Sequence, residues 1–173
     1  MENMSVITFA ATGHILGAVT RAAQADRPVA VDDVAPARIV IRDSQGAGLQ
    51  ASIDAAALQV VEVDYDTRVL YRPQLFAVSG GRAEQQIFNP LSLVNATLDG
   101  TTVSVNLPSI ATGDTEVFVH VSGGALDEAA VRAVTVPENF SSGSESLLLG
   151  SGDYNIVIFA PGHATVLQNE SIP

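Results

Sequence analysis

The chain has 173 residues, 47% of them apolar, which excludes wholesale disorder and supplies core enough for one large domain or two small ones. Its net charge is −11, and its eight basic residues are all arginines scattered along the sequence, which argues against nucleic acid and anionic membrane surfaces as partners. There is no cysteine, so disulfides, thiolate nucleophiles, iron–sulfur clusters and cysteine-ligated zinc are excluded. Read in order, the chain starts without a basic region ahead of the short apolar run Val6-Ile7, which predicts no secretory signal and synthesis in the cytoplasm, from which it could be incorporated into a particle. No apolar run approaches the length of a membrane span, so no membrane insertion is expected. Residues 6–20 read as strand interrupted by Gly13 and Gly17, and 22–35 as a loop with a short strand at 29–31. In Arg38-Ile39-Val40-Ile41-Arg42 the isoleucines share one face, as in a half-buried strand, and 43–48 is a turn-rich connection.

Residues 49–60 form the one helix the pattern predicts, since Leu49, Ile53, Ala56, Ala57 and Val60 recur at helical spacing around three consecutive alanines. Gln59-Val60-Val61-Glu62-Val63 already reads as strand. Asp64 to Thr67 turns the chain, Val69-Leu70-Tyr71 leads to Pro73, 75–79 is a strand, and 84–88 returns across the Gly80-Gly81 turn to Asn89-Pro90.

The second half alternates more regularly. Residues 93–98 and 101–107 flank Asp99-Gly100, a pair suited to a tight type I′ hairpin turn. Val103, Val105 and Leu107 alternate with polar residues, and Val117, Val119 and Val121 repeat the device. Residues 130–136 are a further strand, and 138–146 a polar loop. The run from Gly152 to Phe159 is apolar on both sides, with Tyr154, Ile156 and Ile158 on one face and Val157 and Phe159 on the other, and returns through Pro161-Gly162-His163. A strand dry on both faces must be covered twice, by a facing sheet and by a second layer, a loop or another subunit. The fold class expected is therefore all-β, an antiparallel β-sandwich arranged as two small sandwiches or one jelly-roll-like body, with at most one short helix near 49–60. A division at Asn89-Pro90 gives an N-terminal β-rich domain, 1–89, and a C-terminal β-sandwich domain, 90–173, with a single sandwich as the alternative. Phe-Ala followed shortly by Gly-His occurs at 9–14 and again at 159–163, an echo that points to paired strand ends.

The segment from Leu149 to His163 resembles the last hairpin of carboxypeptidase-regulatory-like and related transthyretin- or immunoglobulin-like sandwiches. There a Gly-x-Tyr opens a strand whose tyrosine closes the preceding loop, and a Pro-Gly turn leads to the final strand; Gly152, Tyr154, Pro161 and Gly162 fit, with His163 at a position more often aromatic. The resemblance implies a sandwich used for structure or attachment, and no catalytic set.

The residues themselves offer little chemistry. His14, His120 and His163 lie in no His-x-His or His-Glu-x-x-His spacing; zinc would need His14 and His163 to be brought together by paired strand ends. Asp64 and Asp66 read as a solvated turn, since no EF-hand pattern surrounds them. A sugar groove is poorly supplied, with no tryptophan and three tyrosines, and no Gly-x-Ser-x-Gly, Walker or Rossmann motif is present. The expectation is a non-enzymatic structural subunit of a larger homo- or hetero-oligomeric assembly, such as a virion, a tail or capsid accessory, or a filament. Only 16% of residues are charged, and uncharged surface is readily buried against a neighbour. Its partners are then copies of itself and other assembly proteins, its interface residues Tyr154, Val157, Phe159 and His163, and it needs no cofactor. The alternatives are a surface attachment or ligand-binding module, with contacts in loops 43–48 and 138–150, and a metal-dependent enzyme using His14 and His163.

Overall fold

The structure, a computed structural model, describes residues 3–20, 29–42, 49–124 and 126–173. The 43–48 loop lies outside the described residues. The fold is all-β, built from antiparallel sheets packed face to face.

The N-terminal half comprises β1 (Asn3–Phe9), β2 (Ile15–Thr20), α1 (Val31–Val34), β3 (Arg38–Arg42), β4 (Gln50–Asp54), β5 (Leu58–Asp64), α2 (Thr67–Tyr71), β6 (Phe76–Ser79) and β7 (Arg82–Gln85). Its main sheet runs β2-β1-β5, with the β3–β4 and β6–β7 hairpins separate from it. The C-terminal half comprises β8 (Asn95–Leu98), β9 (Thr102–Asn106), β10 (Thr115–Gly123), β11 (Ala130–Val136), β12 (Ser142–Ser146), β13 (Gly152–Phe159) and β14 (Val166–Ile172). These form a sandwich of β11-β10-β13-β14 on β12-β9-β8. Asn89-Pro90 lies between β7 and β8; among the described residues the two halves share one isolated bridge, Ile87 with His163.

Three cores separate four layers. The first fills the sandwich with Val103, Val105, Val117, Val119, Ile156 and Ile158 among others, the inward positions of period-2 strands. The second joins Ile7, Phe9 and Leu16 of the N-terminal sheet and Ile41 and Ile53 of the β3–β4 hairpin to Val157 and Phe159 of β13. The third packs Met4, Val6 and Ile15 against Val69 of α2 and Phe76 of β6. The order of layers is thus the β12-β9-β8 sheet, the β11-β10-β13-β14 sheet, the β2-β1-β5 sheet with the β3–β4 hairpin, and the β6–β7 hairpin with α2.

The sandwich is closed along both sides. Gly143 of β12 lies so near β11 that a Cβ there would sit 2.1 Å from the Thr135 carbonyl oxygen. On the other side the Gln168 side chain of β14 acts as one more rung of ladder: its Oε1 accepts from the Ala96 amide at 3.1 Å, and its Nε2 donates to the Ala96 carbonyl.

Local readings were overturned in four places, and one further helix forms where none was expected. The helix expected over 49–60 is β4, a single 3-10 turn at Ala55–Ala57, and β5. Ala51 and Ile53 point inward with period 2, and β5 gains a seven-residue ladder with β1 from Asn3↔Asp64 to Phe9↔Leu58. That pairing outweighs alanine's helical preference, leaving the alanines only the turn. The strand expected at 29–31 gives way to α1, whose Asp33 carboxylate accepts from the Ala30 amide at 2.9 Å. Residues 69–71 belong to α2, capped by Asp66, whose carboxylate accepts from the Arg68 amide at 2.9 Å. The polar loop expected at 138–146 contains β12, an edge strand made of Ser, Gly and Glu that pairs with β9 from Ser142↔Asn106 to Ser146↔Thr102. Finally, the β8–β9 turn centres on Gly100 and Thr101, closed by the Asp99 amide donating to the Thr102 carbonyl at 3.3 Å. Of these loop residues only Gly100 has positive φ, +87°, so the turn is not type I′, which needs two. Asp99 works beside the turn, its Oδ1 accepting from the Thr101 and Thr102 amides at 2.8 and 2.7 Å.

Candidate functional site

β13 positions most of the residues singled out from sequence. Tyr154 faces the sandwich core, and its hydroxyl donates to the Gly150 carbonyl at 2.8 Å, closing the loop before the strand. Val157 and Phe159 project from the opposite face into the second core, where Phe159 stacks on Phe9 at 4.2 Å and Phe118 meets Phe9 edge-on at 5.9 Å. These three of the four predicted residues are completely buried within the single chain. The interface expected at Tyr154, Val157 and Phe159 is therefore intramolecular: the second cover over β13 is the chain's own N-terminal half. His163 is half-buried in the β13–β14 turn, where its carbonyl receives the side chain of His14.

The two Phe-Ala…Gly-His turns do meet. Besides the Phe9–Phe159 stack, His14 Nε2 lies 2.9 Å from the His163 carbonyl and Nδ1 lies 2.7 Å from Thr12 Oγ1. A carbonyl only accepts, so Nε2 carries the proton and Nδ1 accepts from the threonine hydroxyl. Both ring nitrogens are committed, which leaves none for zinc; the histidines touch ring to backbone rather than ring to ring. Among the described residues no group of three or more His, Cys, Asp or Glu side chains is arranged to hold a metal. Asp66 is held by Arg68 at 2.7 Å, and that hydrogen bond lowers its carboxyl below the usual range.

Burial holds the pKa of His14 down, against the raising effect of the His163 and Ala160 carbonyls. His120 projects from β10 on the same side as Phe118, is buried, and has no partner for Nδ1 among the described residues. Burial lowers its pKa too, and the Asp54 carboxylate offsets part of that. Burial lowers the pKa of His163 as well, and His163 carries the bridge to Ile87, so three neutral histidines sit at the boundary between the halves.

Two surface features remain. A groove of about 570 Å³ runs between the β3–β4 hairpin and the sandwich, with Arg38, Gln50, Asp54, Asp127, Glu128 and Asn155 on its walls. At the other end of the sandwich, where β9 leads into β10 and β11 into β12, large apolar side chains point into solvent: Ile110 is 63% exposed and Phe140 61%. Their loops are tied together, the Ala111 amide donating to the Phe140 carbonyl at 2.8 Å and the Asn139 amide to the Ala111 carbonyl at 2.9 Å. The segment entering β8 brings Leu91, 95% exposed, to this same end, together with Ile87 and Phe88. Sequence reasoning reached Phe140 only through the 138–150 loop of the attachment alternative, without singling it out, and missed Ile110, Leu91, Ile87 and Phe88. A usable signal was present: Phe140 stands alone among Pro, Glu, Asn, Ser and Gly, with no alternating apolar neighbour to carry it inward.

No protein-family model matches the chain, and no curated protein matches it.

Proposed function

We propose that the protein is a non-enzymatic structural subunit of a larger homo- or hetero-oligomeric assembly, of the kind that builds virions, tail or capsid accessories, or filaments. The observation that supports this reading is the apolar end of the sandwich, where Ile110, Phe140 and Leu91 stand in solvent while more than thirty hydrophobic side chains are packed away. Apolar side chains gathered at one end of a domain mark contact surfaces. β13, the strand that first pointed to assembly, is fully covered within the chain and lends no support. Light scattering coupled to size exclusion tests the reading: mass rising with concentration is expected, and a single-chain mass up to high micromolar concentration would sink it.

The groove between the β3–β4 hairpin and the sandwich favours a second reading, a surface attachment or ligand-binding module. Its walls mix donors and acceptors as a polar ligand requires. Binding of a glycan or peptide on arrays by single-chain protein, lost in Asn155→Ala, would support this reading over the first.

A further inference from the structure

Resting on the subunit reading, we propose that copies of this chain associate head to tail, the Phe140 turn of one copy entering the pocket beside α2 of the next. The turn is built to present its side chain. Asn139 adopts φ +66°, a left-handed conformation that asparagine tolerates better than most residues, and the Phe140 amide closes the turn on the Pro137 carbonyl at 3.1 Å. Around this knob the charge is negative: Glu138 belongs to the turn, Asp114 accepts from the Glu138 amide at 2.9 Å, and residues 107–115 and 137–141 contain no basic side chain.

The receiving surface has the opposite character. A pocket of about 340 Å³ is lined by Arg68, Tyr71, Arg72, Leu75, Phe76 and Gln85. Arg68 forms a fixed wall, paired with Asp66 and lying 5.6 Å over the Phe76 ring. The Arg72 guanidinium has no partner among the described residues, and Tyr71 is 81% exposed beside it. Leu75 and Phe76 supply apolar floor for a phenyl ring, a guanidinium can stack on its face, and Arg72 is left to answer Glu138 or Asp114.

Knob and pocket lie in opposite outer layers. Phe140 leads into β12 of the first layer, and the pocket belongs to α2 and the β6–β7 hairpin of the fourth. A chain therefore cannot fill its own pocket, and a contact between unlike surfaces repeats from copy to copy unless the rotation closes a ring.

Two exposed substitutions separate the halves of the contact: Phe140→Asp removes the knob and Arg72→Glu reverses the pocket. Wild-type mass in light scattering should climb with concentration and fall at high salt. Each variant should weaken self-association by about tenfold or more. An equimolar mixture of the two should regain a two-chain species and stop there, because one intact knob and one intact pocket remain to be paired. Phe140→Ser with Tyr71→Ala is a second pair, and thermal melts check that every variant is folded. If the wild type self-associates while folded variants leave its mass unchanged, or the mixture stays single, the pairing is overturned and the subunit reading stands. If the wild type never exceeds one chain, both fall.

Discussion

Strands β1 and β13 hold comparable places in the two halves of the molecule. Each is interior to its sheet, and each is buried on both sides, β1 between the second and third cores and β13 between the first and second. They differ in what surrounds them. β13 forms a wall of the sandwich core, which is filled entirely by residues after 90. β1 looks out on a smaller core of its own half and on one completed by Val157, Phe159, Phe118 and Leu167 from the other half. The sandwich therefore owns the larger core that holds it together, whereas the N-terminal layers borrow one face from it. Apolar burial scales with area, so the borrowing half should be the first to loosen when the seam is damaged.

The most damaging test of that asymmetry uses two neighbouring residues on opposite faces of β13. Both Ile158 and Phe159 are fully buried. Phe159→Ala should cost about 3–5 kcal/mol and Ile158→Ala about 2–5 kcal/mol, transfer and cavity combined. The magnitudes overlap, but the pattern should not. Amide hydrogen exchange in Phe159→Ala should rise first in β1 and β5 while β9 and β10 stay protected; Ile158→Ala should lower protection in the sandwich itself. Equal loss across both halves in the two variants would show one indivisible body, without the asymmetry.

Next in size is the closure of the sandwich. A Cβ at Gly143 would lie 2.1 Å from the Thr135 carbonyl oxygen, a backbone atom that cannot swing aside. Gly143→Ala should force β11 and β12 apart and cost about 1–3 kcal/mol, as overpacking does. Denaturant melts would show it, and an unchanged midpoint would mean that the two edges have slack.

These strands also show why parts of the fold were legible and others were not. The double burial of β13 could be read because Tyr154, Ile156, Val157, Ile158 and Phe159 are apolar on both faces. The same burial of β1 was concealed by Ser5 and Thr8, polar residues held inside, Thr8 bonding the Gln59 carbonyl at 3.5 Å. Around Ala55–Ala57 local preference and long-range pairing disagree, and the ladder with β1, fifty residues away, decides. β12 carries no apolar alternation because it is an exposed edge, so pattern had nothing to report. At the candidate site, β13's requirement for a second cover was legible, but of the covers left open the interface reading chose another subunit where the chain's own layer serves, since nothing in a single strand's pattern distinguishes the two. Phe140 escaped for the converse reason: an exposed aromatic in a polar loop has no periodicity at all.

A smaller effect comes from the seam's histidines. His14 and His120 are buried with pKa values pushed below the ordinary 6.5 by desolvation, so the unfolded chain binds more protons than the folded one as pH drops past that value. Their contribution is complete above pH 6.5 and is lost as pH falls through the folded values. The slope approaches about 1.4 kcal/mol per pH unit for each proton taken up. Urea melts from pH 7.5 down to 5.5 should show stability falling, with the N-terminal layers exchanging first. His120→Phe, which removes a buried unpartnered nitrogen, should flatten that dependence; an unaltered slope would place the titrating group elsewhere.

The finest distinction concerns Tyr154, whose ring belongs to the sandwich core and whose hydroxyl belongs to the loop. Tyr154→Phe keeps the ring in place and removes only the bond to the Gly150 carbonyl at 2.8 Å. Net loss for such a bond is about 0.5–1.5 kcal/mol. Here the lower end is expected, because Gly150 is exposed and water can take over its carbonyl. Since the seam lies on the other face of β13, the loss should leave the hydrogen exchange of β1 and β5 unchanged and appear only around 147–151. Exchange rising in the N-terminal sheet of Tyr154→Phe would mean that the two faces of β13 communicate, and that the halves are less separable than their cores imply.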